Sequence, residues 1–109
     1  MSENLAEEYA DTLVRSLTEL WDAMDSDPDS EYDGYDTPDE ALMAMPLEIT
    51  REIGEPFRIL LAFGGPNAWI TSNAHGEWAK LKVSWGGDTA RRYGPVIDRT
   101  AHYFAELWD

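Results

Sequence analysis

The chain has 109 residues, of which 43% are hydrophobic and five are tryptophan, so it is large and apolar enough for one domain with a modest core. The absence of cysteine excludes disulfides, thiolate catalysis and cysteine-ligated zinc. The net charge of −14 disfavours direct binding to nucleic acid or to an anionic membrane, because like charges repel.

Two features of the sequence indicate where the protein is located. No apolar run approaches the roughly 20 residues that are needed to span a bilayer. The N-terminus is acidic and lacks the basic region of a secretory signal. We therefore expect a cytoplasmic protein.

The negative charge is concentrated in the first half of the chain. Residues 1–50 contain 15 acidic side chains against one base, whereas residues 51–109 contain seven acids and seven bases. Nine of the carboxylates lie in residues 22–40, which contain no base and are called the acidic segment below. Such a density of like charge stays in water, and the partner that it favours is a basic protein surface.

The N-terminal region is predicted to be helical. Apolar residues recur at three- and four-residue spacing over residues 1–24, and Ser2 is the expected N-cap. Pro28 cannot continue this helix, and the short polar side chains around it favour turns. Residues 25–36 are therefore predicted to form an acidic loop.

Two further helices are expected. Thr37 and Glu40 form a capping box with proline between them, which predicts a helix over residues 37–45 that stops at the next proline. A third helix is predicted over residues 95–108, where apolar residues again recur at helical spacing.

Strands are indicated by alternation of apolar and polar residues and by turn residues between the runs. Four strands are predicted, over residues 47–53, 57–63, 68–71 and 77–85. In the second and most apolar of them, which we expect to be central, four side chains should share one face: Phe57, Ile59, Leu61 and Phe63. The sheet is thus predicted to span residues 47–85, followed by a loop over residues 89–94.

The predicted fold class is α+β, with residues 1–109 forming a single domain. Strands that are joined by short turns make a four-stranded antiparallel meander, with the N-terminal helices and the C-terminal helix packed on one of its faces. The other face remains partly open, and Trp69 and Trp78 are the candidates to lie on it.

Catalytic chemistry is not indicated. The two histidines, His75 in a hairpin loop and His102 in the last helix, lie in no local motif with a nucleophile. The glycine pairs at 64–65 and 86–87 lack the spacing and the lysine of a phosphate loop and are explained by turns. We predict that the protein is not an enzyme and has no catalytic residues and no cofactor.

A calcium loop is an alternative use of the acidic segment. Asp25, Asp27 and Asp29 match positions 1, 3 and 5 of such a loop, and Asp36 falls at position 12. Position 6 is Ser30 where the sharp turn requires glycine, and position 12 is not the usual glutamate. We therefore assign no metal site, and calcium binding stays open.

Side chains beside the acidic segment suggest two further interpretations. Two tyrosines between carboxylates, Tyr32 and Tyr35, would provide contact anchors, although they could instead only pin the loop. Four bases could form a small basic patch, although we expect them to fold back on the acidic segment: Lys80, Lys82, Arg91 and Arg92.

Residues 58–70 read RILLAFGGPNAWI and are preceded by ALMAMPLE at 41–48. Over residues 37–85 this pattern resembles small acidic proteins of phages and mobile elements, which have an N-terminal helix, an acidic stretch, an L-P-L-E junction and an I-L-L-x-x-G-G-P hairpin. This chain departs from that pattern at Lys80 and Lys82 and in its closing helix. The resemblance implies a phage context without catalytic residues. Such proteins are similar to anti-CRISPR and other anti-defence inhibitors, some of which imitate the charge of nucleic acid.

The leading hypothesis is an anti-CRISPR-like inhibitor in the host cytoplasm that occupies a basic nucleic-acid groove of a defence protein, such as a CRISPR-Cas effector. The expected partner-binding residues belong to the acidic segment: Asp22, Asp25, Asp27, Asp29, Glu31, Tyr32, Asp33, Tyr35, Asp36, Asp39 and Glu40. The second hypothesis is a noncatalytic phage structural or regulatory module that forms a homodimer through its open sheet face.

Overall fold

A computed structural model describes residues 4–50, 57–73 and 78–107 of the chain. Three helices and five strands follow one another in the order ααβββββα. Their bounds are α1 Leu5–Ser26, α2 Pro38–Ala44, β1 Glu48–Thr50, β2 Phe57–Ala62, β3 Asn67–Ser72, β4 Ala79–Trp85, β5 Asp88–Arg92 and α3 Pro95–Leu107.

The five strands form one antiparallel sheet in the order β1-β2-β3-β4-β5, so each strand pairs with its neighbour in sequence. The α+β class is confirmed, but the prediction of four strands is wrong. The segment that was expected to be a loop, residues 89–94, contains most of β5, which pairs with β4 from Trp85↔Asp88 to Leu81↔Arg92. The second strand is internal, and β3 is the central one.

The starts of the first two helices show one wrong and one confirmed cap. The N-cap of α1 is Asn4 and not Ser2, because the Asn4 side chain accepts a hydrogen bond from the Glu7 backbone N–H at 3.1 Å. Thr37 caps α2 as predicted, accepting from the Glu40 N–H at 3.2 Å. Helix α1 continues to Ser26, two residues further than expected.

An irregularity in β2 changes the direction of its last side chains. Leu60 pairs with Trp69, but the next pair is Ala62 with Ala68, so Leu61 is an extra residue in the strand. The bulge reverses the alternation of faces beyond it. The prediction that Phe63 shares a face with Phe57 is therefore wrong, and Phe63 is 78% exposed.

One face of the sheet forms the hydrophobic core together with α1 and α3, both of which contact β4. Six apolar side chains of this covered face are fully buried: Phe57, Ile59, Ala68, Ile70, Leu81 and Val83. The indole N–H of Trp21 in α1 donates to the Thr100 hydroxyl in α3 at 2.9 Å, and the carboxylate of Asp98 accepts from the backbone N–H of Ala79. The helices are thereby fixed to each other and to the sheet.

The other face of the sheet is called the open face below. Within the part of the chain that the structure describes, the contacts of α1 and α3 with the sheet fall on the covered face, and α2 packs on α1. Trp69 lies on the open face as expected and is half-buried there, while Trp78 precedes β4 and is 53% exposed.

Candidate protein-interaction surface

The acidic segment runs from the last turns of α1 to the first turn of α2. All nine of its carboxylate residues are exposed: Asp22, Asp25, Asp27, Asp29, Glu31, Asp33, Asp36, Asp39 and Glu40. Asp39 and Glu40 stabilise the N-terminus of α2, where the helix dipole favours negative charge, whereas Asp22 and Asp25 lie near the C-terminus of α1, where it does not. The negative charges at the end of α1 are therefore unfavourable unless a cation from another element neutralises them.

Arg99 of α3 provides this compensation at Asp25. Its two terminal nitrogens donate to the two carboxylate oxygens at 2.8 and 2.6 Å, and its guanidinium carbon lies 4.1 Å from the centre of a Trp21 ring. These hydrogen bonds hold the pKa of Asp25 below its ordinary value of 3.8. Asp25, one of the expected partner-binding residues, is therefore engaged within the fold.

A second tie fixes the other end of the segment. The Tyr103 hydroxyl donates to the Asp39 carboxylate at 2.6 Å. Burial, together with this hydrogen bond to an anion, raises the pKa of Tyr103 well above its ordinary value. The acidic segment is thus held to α3 at both of its ends.

The middle of the segment is ordered by a tight turn, called the acidic turn below and comprising Tyr32–Asp36. Tyr32 and Tyr35 exchange backbone hydrogen bonds at 2.9 and 2.8 Å, and the residues between them, Asp33 and Gly34, have φ angles of 48° and 85°. Tyr32 packs against the core, which is the pinning role that was considered for both tyrosines, whereas Tyr35 is 41% exposed. Only Tyr35 is well placed as a contact anchor.

A groove with a volume of about 620 Å³ is lined jointly by the acidic turn, α1 and the region of α2. Its lining combines apolar residues, including Leu13 and Leu20 of α1 and Met45 at the C-cap of α2, with Glu19, Asp33 and Tyr35. Burial raises the pKa of Tyr32, and the nearby charges of Glu19 and Asp33 raise it further. Glu19 was not expected at this surface, although its position one turn before the segment on the same helix is a signal that could have indicated it.

Seven carboxylates of the segment have no hydrogen-bond or ion-pair partner among residues 4–50, 57–73 and 78–107: Asp22, Asp27, Asp29, Glu31, Asp33, Asp36 and Glu40. With Asp25 and Asp39 engaged, the expected set of binding residues divides into two that tie the segment down and seven that face water. The arrangement is a fixed polyanionic surface with one exposed aromatic side chain.

The prediction that four bases fold back on the acidic segment is wrong for the contacts that the structure describes. Arg92 binds Asp11 of α1 at 2.8 Å, outside the segment, and thereby lowers the pKa of Asp11. The Lys82 ammonium lies 5.6 Å from the centre of a Trp69 ring, and Lys80 and Arg91 have no ion-pair partner in the described ranges. Strand pairing places these three on the open face, away from the segment.

The structure does not bring the carboxylates of the acidic segment together around a common metal position. Within the described ranges, no group of three or more histidine, aspartate or glutamate side chains could hold a metal ion. His102 is exposed and contacts Glu106 one turn later at 2.9 Å, as a surface pair, while His75 lies outside the described residues.

No protein-family model matches the chain, and neither a curated protein nor a solved structure shows significant similarity to it. Across the parts of the chain that the structure describes, no helix is both long enough and apolar enough to cross a membrane.

Proposed function

We propose that the chain is a phage-type, anti-CRISPR-like inhibitor that binds a basic nucleic-acid-binding surface of a host defence protein through its acidic segment. The observation that carries this proposal is the set of seven exposed carboxylates without partners in the described chain, on a segment that is fixed at both ends. Duplex DNA presents about one charge per 1.7 Å of its axis, and a basic groove that holds it would attract a comparable polyanion.

The fixed shape of the segment supports binding by charge imitation. A flexible acidic loop would lose conformational entropy on binding, whereas a segment that is already ordered loses less. Here the ordering contacts are the Asp25–Arg99 pair, the Tyr103–Asp39 hydrogen bond and the backbone pairing of Tyr32 with Tyr35. The inhibitor would act by stoichiometric occupation of the groove, and the exposed Tyr35 would provide an apolar anchor.

The test compares two variants that lose the same charge. In the segment variant, five free carboxylates become amides: Asp27→Asn, Asp29→Asn, Glu31→Gln, Asp36→Asn and Glu40→Gln. In the control variant, five exposed or half-exposed acids elsewhere become amides: Glu7→Gln, Glu8→Gln, Glu48→Gln, Asp88→Asn and Glu106→Gln. Both have a net charge five units less negative than the native chain, so any difference between them reports on position.

The measurement is duplex DNA binding by a panel of purified CRISPR-Cas effector complexes in the presence of increasing amounts of each chain. We expect the native chain and the control variant to displace DNA from at least one effector at a 1:1 ratio. The segment variant should be at least about 10-fold weaker, since several charge pairs of about 0.2–1 kcal/mol each are lost. Inhibition should also weaken with salt. Equal inhibition by both variants, or none by the native chain, rejects the proposal.

The alternative is a noncatalytic phage module that forms a homodimer through the open face. Its support is the exposure of Phe63 and the half-buried Trp69 on that face. However, a twofold dimer would bring Arg58, Lys80 and Lys82 of two copies together, and like charges across an interface are unfavourable. The charge distribution therefore favours the inhibitor.

A further inference from the structure

The described residues of the open face have a net positive charge, whereas the chain as a whole has a net charge of −14. Strand pairing aligns one row of five side chains across all five strands: Glu48, Leu60, Trp69, Lys82 and Arg91. The adjacent row is Thr50, Arg58, Thr71 and Lys80. Among the described residues, four Lys and Arg side chains thus lie on this face with one carboxylate, Glu48.

The cations of the open face are not neutralised by neighbours. Arg58, Lys80 and Arg91 have no ion-pair or hydrogen-bond partner for their side chains within the described residues, and Lys82 contacts the ring of Trp69. Uncompensated cations beside an aromatic ring favour an anionic ligand that also has an apolar or aromatic group.

A depression of about 400 Å³ lies at the centre of this face. Leu60, Phe63 and Trp69 supply apolar walls, and one cation, Arg58, and one carboxylate, Glu48, line the same depression. Phe63 reaches the depression because the bulge at Leu61 turns it away from the core. The depression therefore fits a single aromatic side chain, and Arg58 in its lining and Lys82 beside Trp69 favour carboxylates next to that side chain.

The acidic turn of the same chain has this chemistry. Tyr35 is exposed, and the carboxylates of Asp33 and Asp36 on either side of it have no partner in the described chain. The turn lies against α1, and α1 packs on the covered face of the sheet. Since the sheet separates the turn from the open face, the two can meet only between different molecules.

We propose that the acidic turn of one copy docks on the open face of a second copy, with Tyr35 in the depression beside Trp69 and the carboxylates of Asp33 and Asp36 near Arg58 and Lys82. The contact joins two different surfaces, so it is head to tail and can continue from copy to copy. The turn is shared with the proposed inhibitor surface, but self-association does not depend on any defence protein.

The expected association is weak and sensitive to salt. A turn of five residues buries less than the roughly 800 Å² per partner that stable complexes require, and each copy has a large negative charge that opposes assembly. The net negative charge of the protein would repel a nucleic-acid strand as well. Because a nucleic-acid strand has a higher charge density than a second copy of the chain, it is the less favourable occupant. Association should therefore appear at concentrations on the order of 100 μM in low salt.

Sedimentation equilibrium over about 10–500 μM protein in about 50 mM salt tests the proposal. Lys82→Glu alters the open face, and its matched control is Arg15→Glu, an exposed base on α1 with the same change of charge. Asp36→Lys alters the turn, and its matched control is Asp29→Lys. We expect Lys82→Glu and Asp36→Lys each to weaken association about 10-fold and the two controls to change it less than about 2-fold.

The decisive sample is an equimolar mixture of Lys82→Glu and Asp36→Lys. Each variant retains the surface that the other has lost, so the mixture should form a 1:1 pair through one unaltered contact. The double variant in one chain should regain association because the two exchanged charges attract each other. A mixture that stays as weak as its components would overturn the proposal, and so would native-like association of Asp36→Lys, which a twofold contact through the open face predicts. A native chain that is monomeric throughout would also overturn it, and single-stranded oligonucleotide binding that Lys82→Glu abolishes would then assign the face to nucleic acid. Equal thermal unfolding midpoints confirm that all variants are folded.

Discussion

The two faces of the sheet are built from alternate residues of the same strands, yet they have opposite roles. On β4, Leu81 is fully buried against the helices, while its neighbours Lys80 and Lys82 lie on the face that no described helix covers. The covered face stabilises the fold by burial. The open face is therefore free to carry an uncompensated positive charge on a molecule whose net charge is −14.

The largest expected effect is a difference in stability between substitutions on the two faces of a single strand, β4. Leu81→Ala removes a fully buried side chain and should lower the free energy of unfolding by about 2–5 kcal/mol, because it leaves a cavity in the core. Lys80→Ala should change it by less than about 0.5 kcal/mol. Urea unfolding followed by circular dichroism measures both. Similar losses in the two variants would show that the open face also stabilises the fold.

A comparison of two tryptophans gives the next largest effect. Trp21 is 5% exposed and donates to the Thr100 hydroxyl, which itself donates to the Val96 carbonyl. Trp21→Phe removes this donor and should cost about 1–3 kcal/mol, whereas Trp69→Phe on the open face should cost less than about 1 kcal/mol. Thermal unfolding at fixed pH ranks the two. A larger loss for Trp69→Phe would contradict the division of roles between the faces.

The smallest effect concerns the tie between the acidic segment and α3. Because Arg99 lowers the pKa of Asp25 in the folded chain, the unfolded chain binds more protons near the ordinary value of 3.8, and stability rises with pH there. The stabilisation that Asp25→Asn removes should thus be present at neutral pH and vanish as the pH falls through the lowered pKa. Denaturant midpoints between about pH 3 and pH 7 measure this difference. Asp29→Asn, whose carboxylate has no partner in the described chain, is the matched control and should show no such pH dependence.

Hydrophobic spacing was sufficient to predict the three helices, but of the two predicted caps only Thr37 is confirmed, since Asn4 and not Ser2 caps α1. Strand β5 was missed because Ala90 is its only apolar residue, so it shows little alternation. A signal for it did exist. Gly86 and Gly87 both have positive φ, at 59° and 93°, and form the two-residue hairpin turn that a glycine pair favours.

The bulge in β2 and the partners of the basic residues could not be read from the sequence. An extra residue such as Leu61 moves each later side chain of the strand to the opposite face of the sheet. The local sequence pattern does not indicate where such an extra residue lies. The pairing of Arg99 with Asp25 joins residues 74 positions apart and depends on how α3 packs against α1. The acidic segment itself was evident from composition, but its division into engaged and free carboxylates depends on tertiary structure.

The two outer strands of the sheet have a consequence for the behaviour of the protein in concentrated solution. Strand β1 has three residues, and three of the five residues of β5 are charged: Asp88, Arg91 and Arg92. A short edge strand and a charged edge strand both hinder pairing with a strand of another chain, which is the first step towards fibrils. We therefore expect the protein to resist amyloid-type aggregation even where its copies crowd together.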